Sequence, residues 1–83
     1  MTGTDAALFE EWLLHQREHY RRLAVTARQG LAEAALACNI PEEGIEDARQ
    51  CLALDPLHEP AHRALMALYA ASGQRSAALR QYE

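Results

Sequence analysis

From Asp5 to about Ala37 apolar residues recur with the period of an α-helix, and no proline interrupts them. Stepping 100° per residue from Phe9 gathers Phe9, Trp12, Leu13, Gln16, Tyr20, Leu23, Ala27, Leu31, Ala34 and Cys38 into one stripe, the expected core face. Asp5 is a suitable N-cap. Gly30 weakens the middle by up to ~1 kcal/mol relative to Ala, so the pattern predicts one long helix or two nearly continuous ones. Asn39-Ile40-Pro41 marks the next boundary. Asn tolerates the left-handed conformation that ends a helix, Pro suits the first position of the next, and Glu42 and Glu43 then favour its first turn.

A second helix is predicted over about 41–54, burying Ile45, Ala48 and Leu52 and stopped by Asp55-Pro56. A third, over 59–71, tolerates Pro60 in its first turn, buries Ala61, Leu65, Leu68 and Tyr69, and stops at Ser72-Gly73. A fourth, over 74–83, carries Ala78, Leu79 and Tyr82. Glu83 falls in mid-pattern with no stop signal after it, so the chain reads as part of a larger helical array. The expected fold is all-α, one domain over 1–83 with about four helices and a long first one.

Composition narrows what such a chain can do. Its 83 residues are too few to enclose a deep, sheltered site, and 49% apolar content argues against disorder. No apolar run approaches the ~20 residues of a membrane span and no signal peptide is evident, which predicts a cytoplasmic protein. A net charge of −4 opposes binding to nucleic acid phosphates. Cys38 and Cys51 lie on separate predicted helices and are expected as small buried apolar residues rather than a disulfide.

A shift of 34 residues pairs Ala27 with Ala61, Leu31 with Leu65, Ala35 with Tyr69, Asn39 with Gly73, Gly44 with Ala78 and Ile45 with Leu79. Size class and turn positions recur more than identities do. Two helices per ~34 residues is the tetratricopeptide spacing, in which small residues such as Gly44 and Ala78 let paired helices approach. The residues also carry a resemblance. Trp12 with Arg17-Glu18, Asp55-Pro56-Leu57-x-Glu59, Arg63-x-Leu65-Met66, Tyr69, Ser72-Gly73-Gln74-Arg75 and Ala78-Leu79-x-x-Tyr82 resemble the second half of the bacterial transcriptional activator domain of SARP-type regulators. That resemblance implies a tetratricopeptide-like fold and a role in protein contacts and assembly. In the family the domain normally follows a winged-helix DNA-binding domain. No such domain stands in this sequence, nor do the family's first helical pair and closing helix, so DNA binding is carried over to no residue.

Two stretches mimic zinc enzymes. His58-Glu59-Pro60-Ala61-His62 fits H-E-x-x-H, which needs both histidines on adjacent turns of one helix. Pro60 and the helix start oppose that geometry, and no third ligand is visible. His15-Gln16-Arg17-Glu18-His19 fits the inverted H-x-x-E-H on a credible helix but lacks a further downstream carboxylate ligand. A zinc-dependent hydrolase is therefore the remote alternative. The expectation is no catalytic residue, no cofactor and no metal.

Opposite the main stripe, Leu14, Val25, Ala32 and Leu36 form a thinner apolar line flanked by Arg17, Arg21 and Arg28. A long helix with two apolar lines is expected to pack on both sides. Leu14, Arg17, Arg21, Val25, Arg28 and Leu36 are thus one candidate interaction surface, and the open end at Ala78 and Tyr82 is another. Expected partners are other protein domains or subunits, a second copy included, with no direct nucleic acid contact and no membrane. The leading expectation is a non-enzymatic interaction domain of a bacterial transcriptional regulator. The alternative is a general tetratricopeptide adaptor that binds a peptide or partner protein.

Overall fold

Three α-helices make up the computed structural model, which describes residues 3–81: α1 (Gly3–Ala37), α2 (Pro41–Leu54) and α3 (Glu59–Gln81). Asp5 lies in the first turn of α1, not ahead of it. The end of α1 follows from Asn39, whose φ of 60° is the left-handed conformation that Asn tolerates. Its neighbours close the helix with a bond from the Ile40 amide to the Ala35 carbonyl (2.9 Å) and one from the Asn39 amide to the Leu36 carbonyl (3.3 Å), a Schellman arrangement. Pro41 then opens α2, and Asp55 ends it by donating its amide to the Cys51 carbonyl at 2.8 Å.

The expected fourth helix is not a separate element, since α3 runs unbroken from Glu59 through Ser72-Gly73 to Gln81. A lone glycine costs a helix only ~1 kcal/mol, and Gly73 does not adopt a positive φ. Likewise Gly30 does not divide α1, which extends about 52 Å over its 35 residues.

α2 runs antiparallel to α1. Arg28 pairs with Asp47 (2.9 Å), Cys51 Sγ donates to the Val25 carbonyl (3.3 Å), and Arg21 donates to the carbonyl of Leu54, the last residue of α2 (3.0 Å). α3 returns antiparallel to α2, with Arg75 on Glu42 (3.1 Å) and the Arg49 guanidinium on the Tyr69 hydroxyl (2.6 Å). α1 and α3 therefore run parallel. Gln29 donates to the Pro60 carbonyl and Arg75 to the Asn39 carbonyl, offsets of 31 and 36 residues that bracket the 34-residue period.

The core is small: Ala32, Ala48 and Leu68 are fully buried, with Ile45, Ala64 and Leu65 packed against them. Gly44 lets the three helices meet. A Cβ placed there would stand 2.8 Å from Ala35 Cβ, 2.8 Å from Leu68 Cδ2 and 3.1 Å from the Ala32 carbonyl oxygen. Ala78, its counterpart in the repeat, is exposed and has no such role.

This packing reverses the expected faces of α1. Val25, Ala32 and Ala35 are buried against α2 and α3, whereas Phe9, Trp12, Tyr20, Leu23 and Leu31 are each more than half exposed. Where the helices overlap, close approach selects Val25, Ala32 and Ala35 over Leu23 and Leu31, because the bulkier side chains would hold the helix axes apart. Phe9, Trp12 and Tyr20 lie ahead of Arg21, where α1 has no helix opposite it. Cys51 is buried as expected, but Cys38 is exposed.

The result is a rod of 74 × 18 × 17 Å with a radius of gyration of 18.8 Å, against about 12 Å for a compact chain of this length. Since Arg21 already meets the end of α2, the part of α1 ahead of it projects beyond the bundle.

Candidate interaction surface

The surface residues expected from the sequence separate into three groups. Val25 is only 5% exposed and belongs to the core, while Arg21 and Arg28 are tied to α2 and to the Glu18 and Asp47 carboxylates. Val25 thus lies within the packing, and the two arginines, each more than a third exposed, are engaged inside the chain. Leu14 and Arg17 are exposed on the projecting part of α1, where with Glu10 and Leu13 they line an open groove of about 260 Å³. Leu36 and Ala78 are exposed at the other end, and Tyr82 lies outside the described residues. No single surface unites them.

What the structure does leave uncovered is the stripe first assigned to the core. Trp12 is 55% exposed and Tyr20 65% exposed, and the Phe9 and Trp12 rings lie against each other with centroids 6.1 Å apart. Monomeric proteins rarely leave so long an apolar patch bare. Within this stripe Phe9, Leu13, Gln16, Tyr20, Leu23, Ala27, Gly30 and Ala34 stand alternately four and three residues apart. That is the spacing of a coiled-coil seam, and it was readable in the sequence. Over 26 residues, about 39 Å, the seam contains no charged side chain.

Glu18, whose carboxyl is strongly perturbed, faces away from the seam. Hydrogen bonds from Arg21 and then Arg22 hold its carboxyl down to about 2, far below the usual 4.5. The same pairing engages the glutamate of the H-x-x-E-H stretch with two arginines instead of leaving it free between His15 and His19. In the other stretch His58 precedes the start of α3, with Nδ1 3.9 Å from an Asp55 carboxylate oxygen. His62 Nε2 stands 2.7 Å from the Pro56 carbonyl. A carbonyl only accepts, so that nitrogen carries the proton and has no lone pair for a metal. Among the described residues no three His, Cys, Asp or Glu side chains gather as metal ligands, and no helix is long and apolar enough to cross a membrane.

An all-helical rod with two antiparallel helix pairs and one bare apolar seam defines a class of helical packing domain. The model of the family described as "Bacterial transcriptional activator domain" matches residues 2–83, and the chain belongs to that family. It is accordingly a domain of transcriptional regulators. Neither the curated proteins nor the solved structures returned a similar chain.

Proposed function

We propose that this chain is a non-catalytic protein-contact domain of a cytoplasmic transcriptional regulator, built of tetratricopeptide-like hairpins, and that the seam of α1 is its contact face. The uncovered Phe9–Ala34 stripe carries the proposal. It is apolar, aromatic at one end and free of charge, the composition of a protein interface core rather than of a phosphate-binding face. The parallel course of α1 and α3 at offsets near 34 residues supports repeat-like stacking, in which successive helix pairs present one continuous surface. A peptide-binding adaptor would use the same stacking. Family membership places the transcriptional role first.

A promoter reporter in the native bacterial host tests the reading. Trp12→Glu and Leu31→Glu should each lower activation at least tenfold while helicity and Tm of the purified chain, measured at high dilution, stay unchanged. Full activation by both variants would overturn it.

A further inference from the structure

We infer that the occupant of the α1 seam is the α1 seam of a second copy of this chain, docked antiparallel about a twofold axis between Tyr20 and Leu23. The inference rests on the proposal above that this seam is a contact face, and adds the partner and its register.

Three observations converge on a second copy. The first is area. The chain exposes 6278 Å², whereas a compact 9.3 kDa monomer exposes about 5,000 Å². The excess exceeds the ~800 Å² that each partner contributes to an interface of standard size. The second is length. The seam needs a helix of about 39 Å, and α2 spans only about 21 Å while α3 is already packed on the opposite face. Only another α1 matches it among the helices described.

The third is the order of large and small residues. A twofold axis midway between Tyr20 and Leu23 brings each seam position level with a defined position of the copy. Phe9 then meets Ala34, Leu13 meets Gly30, Gln16 meets Ala27, and Tyr20 meets Leu23. In the outer three layers the larger residue of one helix stands beside an alanine or glycine of the other, which lets the layers interdigitate at an interior packing density. Gly30 has open space where its Cβ would be, with nothing within 4 Å, so a leucine from the copy can seat there. Trp12 and Leu31, level with each other across the same axis, cover the seam's edges. A parallel pairing would instead set Phe9 on Phe9 and Gly30 on Gly30, bulky at one end and hollow at the other. The antiparallel arrangement also opposes the two helix dipoles.

Sedimentation of the full chain tests this. The expected mass is twice 9.3 kDa at about 100 μM, a concentration at which micromolar pairs are associated. Gly30→Glu should raise the dissociation constant at least tenfold with unchanged circular dichroism, because nothing in the monomer occupies that space. Register is read by disulfides. With Cys38→Ser as background, Gln16→Cys combined with Ala27→Cys should oxidise to a covalent dimer, and neither cysteine alone should. A monomeric mass, or a covalent dimer from either single cysteine, overturns the inference. A monomer whose reporter activity still falls with Leu31→Glu would refute the second copy alone, whereas an unaffected reporter would refute the contact face itself.

Discussion

On the side of α1 that meets α2 stand Val25, Ala32 and Ala35; about a third of a turn away stand Phe9, Trp12, Tyr20, Leu23 and Leu31. The second set carries far more apolar surface, yet the chain buries the first. What separates the two is reach. A Cβ on Gly44 would stand 2.8 Å from Ala35 Cβ and 3.1 Å from the Ala32 carbonyl oxygen, so α2 passes too close for a residue such as Leu23 or Leu31 to face it. Phe9, Trp12 and Tyr20 lie ahead of Arg21, where α2 does not reach. Side chains that bury much area per residue suit a partner arriving from outside. Side chains that bury little but permit close approach suit a thin three-helix core.

The sharpest way to break this contrast is to truncate one residue on each side. Leu68→Ala, in the core opposite Ala32, should cost about 2–5 kcal/mol in urea denaturation. Tyr20→Ser should change the stability of the dilute monomer by no more than about 0.5 kcal/mol. Equal losses would mean that both faces are internal. The two glycines give the next largest difference. Gly44→Ala forces its methyl against Ala35 and Leu68 and should destabilise by about 1–3 kcal/mol. Gly30→Ala, in open space on the seam, should stabilise the monomer by about 0.5–1 kcal/mol through helix propensity.

The helices and most of their ends were legible in the sequence because Asn39, Pro41 and Asp55-Pro56 act through local backbone chemistry. Ser72-Gly73 misled because a glycine only weakens a helix, and Gly73 stands with helix on both sides. The faces of α1 could not be ranked by apolarity, since the outcome depended on how closely α2 could approach. Gly44 signalled that approach as a small residue, but its two closest neighbours, Ala35 and Leu68, became visible only in three dimensions. The alternating four-three spacing of the seam was present from Phe9 onward. It reads equally well as a core, so only exposure separates a partner face from a folded one.

The cysteines sharpen the comparison further. Cys38 is exposed and should react with a thiol reagent at neutral pH within minutes. Cys51 donates to the Val25 carbonyl, and burial pushes its thiol above the usual range. It should react only as the chain opens, and equal rates would place Val25 outside the core. Its ionisation favours the unfolded chain, so stability should fall as pH rises above about 9, the ordinary thiol value. The smallest effect belongs to Glu18. Its folded value lies near 2, below the ordinary 4.5, so its contribution is present above 4.5 and fades as pH falls towards 2. Carbon-detected NMR titration should find a midpoint near 2, and Arg21→Gln should return it towards 4.5.

The part of α1 ahead of Arg21 has a kinetic consequence. It continues a helix already nucleated by the packed half, so it loses order by fraying from its tip rather than by melting as a block. In the lone chain, amide exchange should slow steadily from Ala6 towards Arg21, and a protease should trim the tip before it cuts anywhere in α2. Once the seam is covered that gradient should flatten. Binding would then be recorded as lifetime: the same peptide bonds, with no change in helix boundaries, surviving much longer.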